Sequence, residues 1–176
     1  MALSIGEQSV EFQLPGVDGN NYSLADYSNK SAVVVIFSCN HCPYVQAWEE
    51  RIIQIQKDFE SNGVQLLVIS ANDAEQYPDD GFPAMKERAK AKGFNFPYLF
   101  DESQEIAKAY GAERTPEVFV FDSSQTLQYH GTIDDNYENP EAVTKTYLRD
   151  AIDAIAEGNK PAVNQTDPVG CTIKWK

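Results

Sequence analysis

Two cysteines two residues apart, Cys39 and Cys42, close the stretch Val33-Val34-Val35-Ile36-Phe37-Ser38-Cys39-Asn40-His41-Cys42-Pro43-Tyr44, where an apolar strand runs into a proline suited to the first turn of a helix. A thiolate at a helix N-terminus faces unpaired backbone N–H groups and the positive end of the helix dipole, which lowers its pKa and makes it nucleophilic at neutral pH. The chain has three cysteines, the third being Cys171 near the C-terminus. An odd number without an export signal does not make a structural disulfide framework and points to catalytic or metal-binding thiols. Thiol redox exchange is the chemistry that this spacing suits best.

Metal binding is the chemical rival. Cys39, His41 and Cys42 place three soft or borderline ligands within four residues, and His130 or Cys171 could complete a tetrahedral site. Adjacent positions 41 and 42 rarely aim at one ion, and the paired Cys-x-x-Cys of a zinc ribbon occurs only once, so no resident metal is expected. A covalent haem site needs its histidine directly after the second cysteine and is excluded. His41 either stabilises a thiolate or serves as a proton donor, or it faces water. Cys171 reads equally as a resolving thiol on a tail that folds back and as a buried anchor of that tail. The pairs Asp79-Asp80 and Asp134-Asp135 lie among Pro, Gly and Asn and read as solvated turn residues. There is no hydrolase triad, Gly-rich phosphate loop or dinucleotide fingerprint.

The elements that must position the thiols follow from periodicity. Residues 32–37 are a continuous apolar run, as in a strand covered on both faces. From Pro43 to about residue 61, Val45, Trp48, Ile52, Ile55 and Phe59 recur at helical spacing. Residues 64–70 form a second buried strand, so 32–70 reads as a strand, helix and parallel strand with the cysteines at the first strand's carboxyl end, where open α/β sheets place reactive groups. Strands are also expected at 11–14 and 21–23 around the Asp18-Gly19 turn, and at 98–100, 118–121 and 127–130. Further helices are expected at 82–92, at 103–110, and from Asn139-Pro140 to about residue 157. The segment 159–176 has no periodicity.

With 27 acidic against 14 basic residues, the net charge of -13 argues against nucleic acid or an anionic membrane as partner. The N-terminus lacks the basic and apolar segments of a signal peptide, and no run approaches the ~20 apolar residues of a membrane span, so a cytoplasmic protein is expected.

These residues carry a family resemblance. The opening Phe12-Gln13-Leu14-Pro15 with Asp18-Gly19 and Tyr22-Ser23-Leu24, the strand-to-cysteine segment, Thr115-Pro116 ahead of Val118-Phe119-Val120-Phe121-Asp122, and the closing helix resemble thioredoxin-fold redoxins. Within these, the chain is similar to the alkyl hydroperoxide reductase/thiol-specific antioxidant superfamily and its peroxiredoxin-like branch, over residues 6–158. The resemblance implies an α/β thioredoxin-like fold, a central mixed sheet flanked by helices with an N-terminal β-hairpin. It implies one redoxin domain over residues 1–158, with 159–176 as a tail packed on it.

The resemblance also assigns roles. Counting from the strand's aromatic Phe37 makes Cys42 the attacking thiol, followed by Pro43, with Cys39 the favoured resolver and Cys171 the other candidate. Thr115 precedes a proline, Pro116, whose equivalent in thioredoxin-like reductases has a cis bond, sits against the cysteines and adjoins backbone that can pair with a substrate strand. Cys39 and Val35 stand where peroxiredoxins carry a Thr or Ser and a Pro. Pro116 falls where they carry an activating arginine, with Arg114 nearby as a substitute. The implied activity is thiol-disulfide exchange, with peroxide reduction as the alternative, and a metal chaperone or redox-controlled binding module as readings of another class. Implied partners are a disulfide or peroxide substrate, a recycling thiol reductant and, as in many relatives, a second copy of the chain. No bound cofactor is required.

Overall fold

The run Ala32–Ser38 carries no polar side chain before its last residue, and it forms a strand buried along its whole length. In the computed structural model, which describes residues 2–176, this strand is the centre of a five-stranded sheet. In chain order the strands are β1 Gln13–Pro15, β2 Asn21–Ser23, β3 Ala32–Ser38, β4 Val64–Ser70, β5 Tyr98–Phe100, β6 Arg114–Thr115, β7 Glu117–Asp122, β8 Leu127–Gly131 and β9 Cys171–Thr172. The α-helices are α1 Pro43–Phe59, α2 Phe82–Lys92, α3 Glu105–Tyr110 and α4 Tyr147–Ala156. The main sheet has the order β5-β4-β3-β7-β8, with β4 and β5 parallel to their neighbours and β7 and β8 antiparallel. This is the mixed α/β sheet that the resemblance implies.

Alternation along each strand divides the core into two layers. Val34, Ile36, Leu66, Val68, Val118 and Val120 face the side covered by α1, α2 and α4. Val33, Val35, Phe37, Leu67, Ile69 and Phe119 face the side covered by α3, the β1–β2 hairpin and Ile173 of the tail. On α1, the residues Val45, Trp48, Ile52, Ile55 and Phe59 are buried, and each such side chain contributes roughly 1.5–3 kcal/mol by leaving water. That burial fixes the helix whose N-cap residue is Cys42.

The last helix departs from the sequence expectation. Asn139 caps only a single 3-10 turn, Pro140–Ala142, after which Val143 is extended (φ -63°, ψ 127°). The Thr144 N–H and hydroxyl bond to the Asp135 carboxylate, which pulls the chain away from helix, and α4 starts at Tyr147. Asp134 is likewise no solvated turn residue. It is buried, and it accepts hydrogen bonds from Trp48 Nε1 (3.0 Å) and Arg51 (2.8 Å), tying α1 to the loop after β8.

The aperiodic tail forms specific structure. Its strand β9 pairs antiparallel with β6, Cys171 opposite Thr115 and Thr172 opposite Arg114. Around this pair, Ile173 N–H donates to Glu113 O, Asp73 N–H to Lys174 O, and Lys174 N–H to Asn72 Oδ1. Gln104 donates through Nε2 to Ala71 O and Lys174 O, and its Oε1 accepts from Lys176 N–H. Gln104 holds a left-handed backbone (φ 66°), uncommon for a residue with a side chain, and is buried. Among the described residues, no helix is long and apolar enough to cross a membrane.

Truncating Ile52 to alanine leaves a cavity between α1 and the sheet. It should cost about 2–5 kcal/mol, read as a lower urea midpoint with an unchanged m-value.

Candidate active site

β3 ends at Ser38, Cys39 follows in the connecting loop, and Cys42 takes the N-cap position of α1 with Pro43 as the first helical residue. Cys39 and Cys42 are buried, Cys42 with no exposed surface, and Cys171 is half-buried above them on β9. The sulfurs of Cys42 and Cys171 lie 2.8 Å apart, although the residues are 129 positions apart in sequence. Thr115 bridges the group: its Oγ1 is 3.7 Å from Cys39 Sγ, and its carbonyl oxygen is 3.4 Å from Cys42 Sγ. The Thr115–Pro116 peptide bond is cis, and both residues are buried, Thr115 in contact with the thiols.

The three thiols do not share protons equally. A hydrogen bond from the Cys39 thiol is the largest influence on Cys42 and lowers its pKa to about 4, against the opposing effect of burial. Donation from Cys171 and the backbone N–H groups of Val45 and Cys171 adds to the lowering. The same Cys39–Cys42 hydrogen bond, with burial and the nearby Asp80 carboxylate, pushes Cys39 far above the ordinary thiol range. Burial, then the hydrogen bond to Cys42, raises Cys171 to about 11. Around neutral pH the arrangement is thus one thiolate, Cys42, held by two thiols. A protonated Cys42 can donate to the Thr115 carbonyl; on ionisation it gives up that bond and accepts from its thiol neighbours instead.

Asp80 anchors the loop that carries the cysteines, contrary to its reading as a solvated turn residue. It is fully buried, its Oδ1 accepts from the N–H groups of Asn40 (2.7 Å) and His41 (3.2 Å), and its Oδ2 accepts from Asn72 Nδ2 (2.9 Å) and bonds to His41 Nδ1. His41 is partly exposed, its ring stacked on Tyr77 with centroids 5.6 Å apart, and with Asn40 and Arg88 it lines a shallow cleft of about 360 Å³. Donor atoms of Cys39, His41 and Asp80 fall within 4.8 Å of one another. With four donors already on the Asp80 carboxylate, that trio fits a loop anchor better than an ion cradle.

The other named residues lie apart from this group. Arg114 is exposed, on the opposite face of β6 from Thr115, and its side chain makes no hydrogen bond to a thiol. His130 sits on β8, where Nε2 pairs with Glu117 (2.8 Å) while Nδ1 is buried and has no partner among the described residues. Glu117, which sequence reasoning passed over, uses its second oxygen to accept from the N–H groups of Glu113 and Arg114, both at 2.9 Å. It fixes the turn that presents Thr115 to the thiols. A carboxylate directly after Thr-Pro, just ahead of the apolar run 118–121, was the available signal for it.

The description of the AhpC/TSA family matches residues 5–130. The crystal structure of an uncharacterized conserved protein from Geobacillus kaustophilus is 41% identical and superposes with a TM-score of 0.93, covering 98% of this chain and 93% of that one. A candidate peroxiredoxin of Mycobacterium tuberculosis is 29% identical over 62% of this chain and 65% of its own length, so the match spans just under two thirds of that relative. The thiol-disulfide oxidoreductase ResA of Geobacillus kaustophilus is 22% identical over 91% of this chain and 80% of its own.

One titration tests the proton arrangement. The reduced protein should keep the ultraviolet absorbance of a single thiolate well below pH 7 and lose it only as the pH approaches about 4. Cys42→Ser should abolish it, and Cys39→Ala, which removes the largest stabilising donor, should move the midpoint upward. A midpoint near the ordinary thiol value of about 8.5 in the unmodified protein would contradict the assignment.

Proposed function

The chain belongs to the AhpC/TSA family, and from that premise we propose that it is a thiol-dependent oxidoreductase reducing disulfides. Cys42 is the nucleophile, Cys171 the thiol that resolves its mixed disulfide, and Cys39 the proton-bearing neighbour that steadies the thiolate. The observation that carries this reading is the 2.8 Å approach of the Cys42 and Cys171 sulfurs. Of the two resolvers that the sequence leaves open, Cys171 is favoured because its sulfur lies 2.8 Å from Cys42 and it is half-buried, where solvent can take its proton, while Cys39 is buried and its proton steadies the Cys42 thiolate.

In the first step the Cys42 thiolate attacks one sulfur of a substrate disulfide. A new S–S bond to Cys42 forms as the substrate's own bond breaks, and the departing thiolate takes a proton from solvent. Cys171 then loses its proton, attacks the Cys42 sulfur and expels the second substrate thiolate. Two electrons have passed from the protein dithiol to the substrate, leaving a Cys42–Cys171 disulfide that an external thiol reductant must reopen. The chain's own groups suffice for both steps without a resident cofactor.

Peroxide is the second oxidant to weigh, given the family and the peroxiredoxin relative. Peroxide cleavage places charge on the leaving oxygen and gains most from cationic or hydroxyl donors beside it. Cys42 Sγ meets thiols and backbone groups, the Thr115 hydroxyl bonds to Cys39, and the Arg114 side chain makes no bond to the thiols. That environment favours disulfide exchange.

Stopped-flow mixing of the reduced protein with a small disulfide and, separately, with hydrogen peroxide distinguishes the two. Fast thiol loss with the disulfide, slow loss with peroxide, and a Cys42–Cys171 bond mapped by mass spectrometry are expected. Cys42→Ser should reduce both rates to those of free cysteine, whereas Cys171→Ser should leave a long-lived mixed disulfide on Cys42. Peroxide reacting faster than the disulfide would make the protein a peroxidase, and a mapped Cys39–Cys42 bond would transfer the resolving role to Cys39.

A further inference from the structure

The nucleophile has no exposed surface, and the segment that covers it is the chain's own C-terminal strand. That strand meets β6 as an added polypeptide strand would, by antiparallel backbone pairing along Arg114 and Thr115. Its Cys171 takes the register position opposite Thr115 and brings its sulfur to 2.8 Å from Cys42. The fit is close: a Cβ on Gly170 would lie 2.0 Å from the Thr115 carbonyl oxygen and 3.1 Å from Pro116 N, so only glycine lets the tail approach here. Among the described residues β6 has no other strand partner, so without the tail the backbone of Thr115 would present an unpaired edge, while the Arg114 N–H stays bonded to Glu117.

We infer that the segment 170–173, which contains β9, occupies the seat of an extended, cystine-bearing polypeptide and thereby restricts the resting protein to small oxidants. A polypeptide substrate would pair with Arg114–Thr115 and present one sulfur of its disulfide where Cys171 Sγ now sits. Cys42 would attack that sulfur, forming a Cys42–substrate disulfide and releasing the other substrate sulfur as a thiolate that takes a proton from water. To bind, such a strand must displace a tethered competitor whose effective concentration is on the order of millimolar. A small disulfide needs no strand edge and requires only a brief opening beside half-buried Cys171. Specificity then resides in the tail rather than in the thiols. This inference rests on Cys42 being the nucleophile of disulfide exchange.

The test uses the full-length chain with dithiothreitol as reductant, insulin as the polypeptide disulfide and hydroxyethyl disulfide as the small one. Gly170→Val blocks the close approach, and Ile173→Ser removes the tail's buried side chain as an independent way of loosening it. Circular dichroism confirms that each variant is folded. The unmodified protein should reduce the small disulfide much faster than insulin. Each folded variant should gain on the order of tenfold or more on insulin, as expected when an intramolecular competitor is removed, with a smaller change on the small disulfide. Insulin reduction by the unmodified protein as fast as that of the small disulfide overturns the inference whatever the variants do. So does a folded variant with no gain on insulin while hydroxyethyl disulfide is still reduced, and that result leaves Cys42 as nucleophile intact. If neither substrate is reduced by the unmodified protein, the exchange reading fails and this inference with it.

Discussion

A thiolate buried without a cation needs hydrogen-bond donors, and around Cys42 two of them come from other cysteines. Much of the local architecture serves that requirement. β3 must end at Ser38 so that Cys39 turns beneath the N-terminus of α1, and the turn before β7 must present Thr115 from the other side. The tail must return to β6 to bring the third sulfur. The asymmetry is set first by the hydrogen bond between the two thiols, which lowers Cys42 and raises Cys39; burial and the Asp80 carboxylate add to the raising of Cys39, and the Cys171 thiol and backbone N–H groups at the helix start add to the lowering of Cys42.

Two buried carboxylates hold this geometry from outside the sulfur group. Asp80 fastens the Asn40–His41 backbone, and Glu117 fastens the backbone of Glu113 and Arg114. Each spends its oxygens on main-chain donors and one histidine, with the Asn72 amide added at Asp80, so each sets the position of a loop more than it offers reactive chemistry. The spacing between the β3–α1 loop and the Thr115 turn, and with it the space left for a third sulfur, is set from both sides by these anchors.

The sheet and α1 were legible because their signals are local and repeated: an unbroken apolar run for β3, and an apolar residue every three or four positions through α1. The segment Pro78-Asp79-Asp80-Gly81 also has a local signal, for a turn, and it does contain one. The partners that bury Asp80 include residues 39 neighbours away in sequence at His41, which no local pattern could reveal. β9 was illegible for a related reason, since two paired residues establish no period. Only the alternation of half-buried Cys171, exposed Thr172 and buried Ile173 after Gly170 hinted at a strand. The start of α4 was misplaced because a good cap and proline at 139–140 were outweighed by the reach of Thr144 to Asp135.

The tail is attached mainly through its main chain: Ile173 N–H to Glu113, Lys174 N–H to Asn72, and Lys174 O from Asp73 and Gln104. Bonds of this kind do not read side chains. Over its last seven residues the chain can therefore drift in sequence at Thr172, Lys174, Trp175 and Lys176 with little penalty. The tolerance ends at the absence of a side chain at 170, the sulfur at 171 and the apolar group at 173, so three positions alone hold the path of this segment over the sheet.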